Sequence, residues 1–138
     1  METLKQRIHA LAGPLQLIHV ATIDGDRPKV RPVVGKADED LLIRFSTHLD
    51  SDKVGQIRAN PQVHVTLGAK DPMSQTWLQI DGLAEVSTDR AEREAFWFDQ
   101  LRAYVSGVDD PRYSVVIIRP SRIELHQAGH PQPEIWQP

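Results

Sequence analysis

At 138 residues and a net charge of −3, the chain fits one compact domain and lacks the basic footprint that nucleic acid selects. It has no cysteine, which excludes disulfide staples, thiolate metal sites and a cysteine nucleophile, and leaves any redox chemistry to a bound cofactor. No apolar run approaches the ~20 residues that span a bilayer, and the N-terminal METLKQRIHALAGP has no signal-peptide core, so a cytoplasmic protein without a membrane partner is expected.

Residues 3–12 carry Leu4, Ile8 and Leu11 at helical spacing and close on Gly13-Pro14, which predicts a short amphipathic helix. Positions 15–23 and 28–35 are apolar and β-branched around Asp24-Gly25-Asp26, a hairpin signal. A turn at 38–40 leads into a strand that ends at Ser46, and Asp50 or Ser51 opens a helix that Asn60-Pro61 stops. Val63, Val65 and Leu67 alternate with polar residues as a half-buried strand, and residues 69–75 form a loop. A long strand follows over 76–87, where Gly82 suggests a bulge or bend. Thr88 and Asp89 cap a helix expected from Arg90 to about Tyr104, with Ala91, Ala95, Phe98 and Leu101 as its buried stripe and Trp97 beside it. Two last strands, 112–119 and 122–126, hinge at Pro120, and 127–138 is an extended tail. The sum is a mainly β single domain, a six- to seven-stranded antiparallel barrel with about three flanking helices.

The densest chemistry lies in RFSTHLDSDKVGQIRANP, residues 44–61. Hydroxyls at Ser46, Thr47 and Ser51 and the ammonium of Lys53 gather at a helix start. The first turn there offers unpaired backbone N–H groups and the positive end of the helix dipole, which is how a protein holds a phosphate without a metal. The competing reading makes Asp50 and Ser51 ordinary caps and Lys53 a solvated lysine. Arg31 and Lys36 form a second cationic cluster, or else a solvated edge strand. The six histidines (His9, His19, His48, His64, His126, His130) show no metal-ligand spacing. No glycine-rich phosphate loop and no GxSxG elbow follows any strand.

The series ATIDGDRPKVRPVVG, LLIRFSTHLDSDKVGQIRANPQVHVTL and WLQIDGLAEVS resembles the flavin-binding split barrel of the pyridoxamine 5'-phosphate oxidase superfamily. The later FWFDQLRAYVSGVDDPRYSVVIIRPSRIELHQAG is similar to its general stress protein branch. The most specific part is T-x-x-x-S-x-K followed by N-P-x-V, Thr47 to Lys53 and Asn60 to Val63. This resemblance implies a homodimer with two FMN molecules in clefts between subunits, serving a small-molecule substrate or electron donor; related barrels bind the deazaflavin F420 or haem. Carried over by position, Arg31 and Lys36 fall on the strand under the flavin, Ser46 and Thr47 at the strand end, and Ser51 with Lys53 on the phosphate. Trp77 stands where a partner subunit often offers a polar group, and His126 where many relatives have tryptophan. Asp52 replaces a common basic residue, and the substrate-gripping arginine and histidine motif is missing from HQAGHPQPEIWQP, so oxidation of pyridoxamine phosphate is not expected. Trp77 and Trp136 also exceed what a small barrel is expected to bury, a further reason to anticipate a dimer.

Overall fold

The computed structural model describes residues 1–138. Strand β1 (Gln16–Asp24) folds back on β2 (Arg27–Ala37) through Gly25-Asp26, in register from Gln16 opposite Gly35 to Asp24 opposite Arg27. Gly25 supplies the positive φ of +64° that such a two-residue turn demands at its first position. With β3 (Ile43–His48), β4 (Gln62–Leu67), β5 (Thr76–Ser87) and β6 (Tyr113–Gln127) these form one antiparallel sheet, ordered β3-β2-β1-β4-β5-β6, that closes through β3–β6 pairing.

The barrel interior is filled from alternate positions, such as Ile18 and Val20 of β1, Phe45 of β3 and Ile80 of β5. Helix α1 (Leu4–Ala12), held by a capping box between Thr3 and Gln6, plugs it with Ile8 and Ala12. Helix α2 (Asp52–Ala59) buries Val54 and Ile57. No helix is long and apolar enough to cross a membrane.

The β6 strand is continuous through Pro120, where two strands were expected. Its register against β5 shifts at Asp81/Gly82, which absorbs one residue and lets the ladder run on. A Cβ at Gly82 would lie 2.8 Å from Ile118 Cγ2 and 2.9 Å from the Arg119 carbonyl oxygen, so only glycine fits this crossing. The first half of β6 pairs with β3; the second half pairs with β7 (His130–Trp136), formed by the tail. Trp136 of that strand packs half-buried against the core and is therefore not the unburied surface that the sequence suggested.

Helix α3 is shorter than its periodicity predicts. It runs Arg90–Phe96, turns extended at Trp97 and Phe98, and resumes as a 3₁₀ turn over Asp99–Ala103. Ala91 and Ala95, expected inside, are exposed. The three consecutive aromatics explain the break, because a helix spreads such neighbours around its axis. Here Phe96 enters a second core with Leu101, Val105, Tyr113, Val115 and Ile117, Trp97 meets Tyr113 edge-on, and Phe98 meets Phe96 edge-on. This second core covers the outer face of the first half of β6. Residues 113–118 are thus buried on both faces, which is why this run is apolar but for Ser114, whose hydroxyl donates to the Thr47 carbonyl. Asp110 fixes the loop that follows, accepting from the Ser106 and Arg112 N–H groups and the Arg112 guanidinium; Arg112 holds its carboxyl well below the usual range.

Candidate binding cleft

A cavity of about 880 Å³ lies between the outer face of β1–β3 and the segment 98–105. Leu17, Pro32, Val34 and Ser46 line it from the sheet; Phe98, Leu101, Tyr104 and Val105 line it from the segment. His48 ties the two sides together, its Nε2–H donating to the Tyr104 carbonyl at 2.7 Å. Tyr113 also borders the cavity, but its hydroxyl is spent on the Arg93 carbonyl at 2.8 Å, and burial pushes its pKa up to about 12, so it stays a neutral donor.

At one end of this cavity stand Thr47, Ser51 and Lys53. Ser51 is the N-cap of α2, yet its hydroxyl makes no capping bond; it pairs with Thr47 Oγ1 at 2.9 Å. The Val54 N–H donates instead to the Ser51 carbonyl at 3.1 Å, which leaves the Asp52 and Lys53 amides of the first turn as donors. Lys53 Nζ donates to Thr47 Oγ1 at 2.9 Å, and the Thr47 carbonyl is pinned by the Ser114 hydroxyl at 2.8 Å.

A second cavity of about 450 Å³ adjoins, lined by Asp24, Lys29, Val30, Arg31, Asp52, Lys53 and Gln56. Lys53 borders both. Burial and the neighbouring Arg31 charge lower the Lys53 pKa, with Asp52 opposing; burial lowers that of Arg31. Two cations that are partly desolvated and repel one another form a site that gains from an anion.

The other predicted residues lie apart from this cluster. Lys36 is an odd number of places from Arg31 and so projects from the opposite face of β2, with its ammonium 5.7 Å from the Phe96 ring centroid. Ser46 likewise faces outward into the larger cavity, while Thr47 turns to the barrel end. Trp77 and His126 are cross-strand partners on β5 and β6, stacked with centroids 5.4 Å apart and planes 6° from parallel. His126 Nε2–H donates to Glu124 Oε1 at 2.9 Å, which with Arg122 holds the Glu124 pKa low. They border neither cavity. They belong to the sheet's outer face, whose register runs from Pro32 through His19, Thr66 and Gln79 to Glu124.

Sequence reasoning passed over Thr22, Gln56, His48 and the 98–105 wall. Thr22 had a readable signal: it is in phase with Ile18 and Val20, on the buried face of its strand, where an isolated polar residue needs a partner. The wall had none, since it depends on where α3 breaks.

Residues 4–127 match the family model described as pyridoxamine 5'-phosphate oxidase. General stress protein 26 of Bacillus subtilis (strain 168) is 25% identical over 133 residues, 96% of this chain and 94% of that protein. The crystal structure of general stress protein 26 from Bacillus anthracis str. Sterne superposes with a TM-score of 0.86 at 24% identity, covering 98% of both chains. The pyridoxine/pyridoxamine 5'-phosphate oxidase of Anaplasma phagocytophilum (strain HZ) is 27% identical over 94% of this chain, which spans only 66% of that enzyme. A family match through nearly the whole barrel, agreeing with relatives of the same length and fold, leads to one conclusion: the chain belongs to the pyridoxamine 5'-phosphate oxidase family.

Proposed function

We propose that the protein is a small FMN-binding flavoprotein, an oxidoreductase that works as a homodimer with its flavin in a cleft completed by the partner subunit. The observation that carries this reading is the junction of the two cavities at Lys53: a wide one walled mainly by apolar groups, and a small one where Lys29, Arg31 and Lys53 outnumber Asp24 and Asp52. A flat aromatic ring with an anionic tail has that division of character. The residues present fit the group, with Arg31, Lys53, the one hydroxyl hydrogen that the Thr47–Ser51 pair leaves free and the Asp52 and Lys53 amides of α2 as donors to the phosphate.

A protein from Nostoc punctiforme PCC 73102 described as FMN-binding has the same fold at a TM-score of 0.68 and 17% identity, covering 87% of this chain and 79% of its own. An F420 reductase, 26% identical with a TM-score of 0.63 over 82% of this chain and 91% of its own, favours a deazaflavin as the second reading. Haem finds less support, because the cavity's histidine, His48, has Nε2 committed to Tyr104.

FMN, when bound, supplies electron-pair transfer. The chain's part is to fix the phosphate, exclude water along the Phe98, Leu101 and Val105 wall, and present the ring to a reductant or acceptor. Of the titratable groups that border the larger cavity, His48 has Nε2 committed to the Tyr104 carbonyl and Tyr113 is excluded as an acid or base by its hydrogen bond and high pKa.

Partner completion is supported by apolar groups left open beside the cleft, with Leu17 63% and Val34 40% exposed, on the same outer face that carries Trp77 and His126. The test is the visible spectrum of protein purified without added cofactor, with identification of the chromophore released on denaturation. Released FMN is expected. Deazaflavin would favour the second reading, and a colourless protein that gains no thermal stability from FMN would overturn both.

A further inference from the structure

Thr22, on β1, is 1% exposed, and its hydroxyl has a single hydrogen. That hydrogen goes to Gln56 Oε1 at 2.6 Å, so the Thr22 oxygen is free to accept from Arg31 Nη1 at 2.8 Å. Gln56 Oε1 also accepts from Arg31 Nη2 at 2.9 Å. The end-on edge of the guanidinium, one N–H from each Nη, is thus taken by two oxygens that are themselves hydrogen-bonded. The Val20 and Lys29 carbonyls, at 3.1 and 3.2 Å, take the remaining hydrogen of Nη1.

An arginine has five N–H groups. Those left over here are Nε–H and the second Nη2–H, which point the same way and make the fork that matches two oxygens of a phosphate. The orientation of the Gln56 amide is equally constrained. Turned round, its NH₂ would oppose both the guanidinium and the threonine hydrogen, so the carbonyl must face them and the NH₂ must face away. Gln56 lines the small cavity together with Arg31 and Lys53.

We infer that Thr22 and Gln56 are positioning residues: they occupy the end-on edge of Arg31 so that its side-on edge meets a phosphate monoester, and the Gln56 amide adds a neutral donor to the same anion. This rests on the reading that the small cavity takes the phosphate of the flavin.

The test is to titrate FMN and riboflavin into the wild type, Thr22→Val, Thr22→Ser, Arg31→Ala and the Thr22→Val/Arg31→Ala double variant. Thr22→Val keeps the shape and loses the hydroxyl. It should weaken FMN roughly three- to tenfold and leave riboflavin alone. Thr22→Ser should restore FMN binding, and Thr22→Val should add nothing once Arg31 is alanine. Gln56→Met, on the half-buried face of α2, gives the same readout if the buried position tolerates no change. Equal losses for both flavins, or an undiminished effect of Thr22→Val in the Arg31→Ala background, would overturn the inference and make Thr22 a packing residue. A wild type that binds FMN no better than riboflavin would instead overturn the phosphate reading, and this inference with it.

Discussion

Lys53 is the residue that both cavities share, and its chemistry sets the sharpest expectation at the scale of a single side chain. Removing a charge-assisted hydrogen bond to phosphate is worth about 1.5 to 3 kcal/mol, so Lys53→Ala should weaken FMN about tenfold to 150-fold while riboflavin barely responds. Raising salt should shrink the loss, because the pair is screened. pH gives a second signature. Burial and Arg31 place the Lys53 pKa below that of an ordinary lysine, which means that the charged form is disfavoured in the free protein. Phosphate binding favours the charged form, so FMN affinity should fall as pH rises through that lowered pKa, and this limb should vanish in Lys53→Ala. Titrations of both flavins across pH and salt check all three expectations. That Thr47, Ser51 and Lys53 cluster was legible because hydroxyls and a cation crowd a helix start, whereas Ser46, read together with them, faces outward into the larger cavity. What the residues alone did not tell is that Ser51 gives up capping for Thr47, since a serine at that position is ordinarily spent on the backbone.

At the scale of elements, the bulge at Gly82 is the feature that lets β6 serve two neighbours, β3 with its first half and β7 with its second. A methyl group there meets Ile118 and the Arg119 carbonyl inside contact distance, so Gly82→Ala should destabilise the fold by about 1 to 3 kcal/mol, read as a lowered midpoint in urea. An unchanged midpoint would mean that the crossing relaxes freely. Strands β1 to β5 were readable because alternation and turn chemistry agree, as in the Asp24-Gly25-Asp26 hairpin. Helix α3 was not, because three adjacent aromatics were drawn to different packing partners and the helical period gave way. Pro120 misled for a related reason: proline suits a strand boundary, but opposite a bulge it sits within a continuous strand.

The whole molecule is a closed barrel with a covered side and an open one. The 96–105 region seals the outer face of the first half of β6 and stands opposite Leu17 and Val34 across the larger cavity, yet Leu17 and Val34 stay 63% and 40% exposed on the outer face that also carries Trp77 and His126. Barrel closure was legible from hairpin order; which face stays open was not, because that follows from where α3 lands. Trp77 and His126 border neither cavity of their own chain, so a role for them at the flavin requires a second copy across the open face. Sedimentation velocity at micromolar concentration, followed at the protein and flavin absorption bands together, tests this account most directly. It predicts that flavin absorbance travels with a dimer at one FMN per chain; flavin carried at full affinity by a monomer would contradict it.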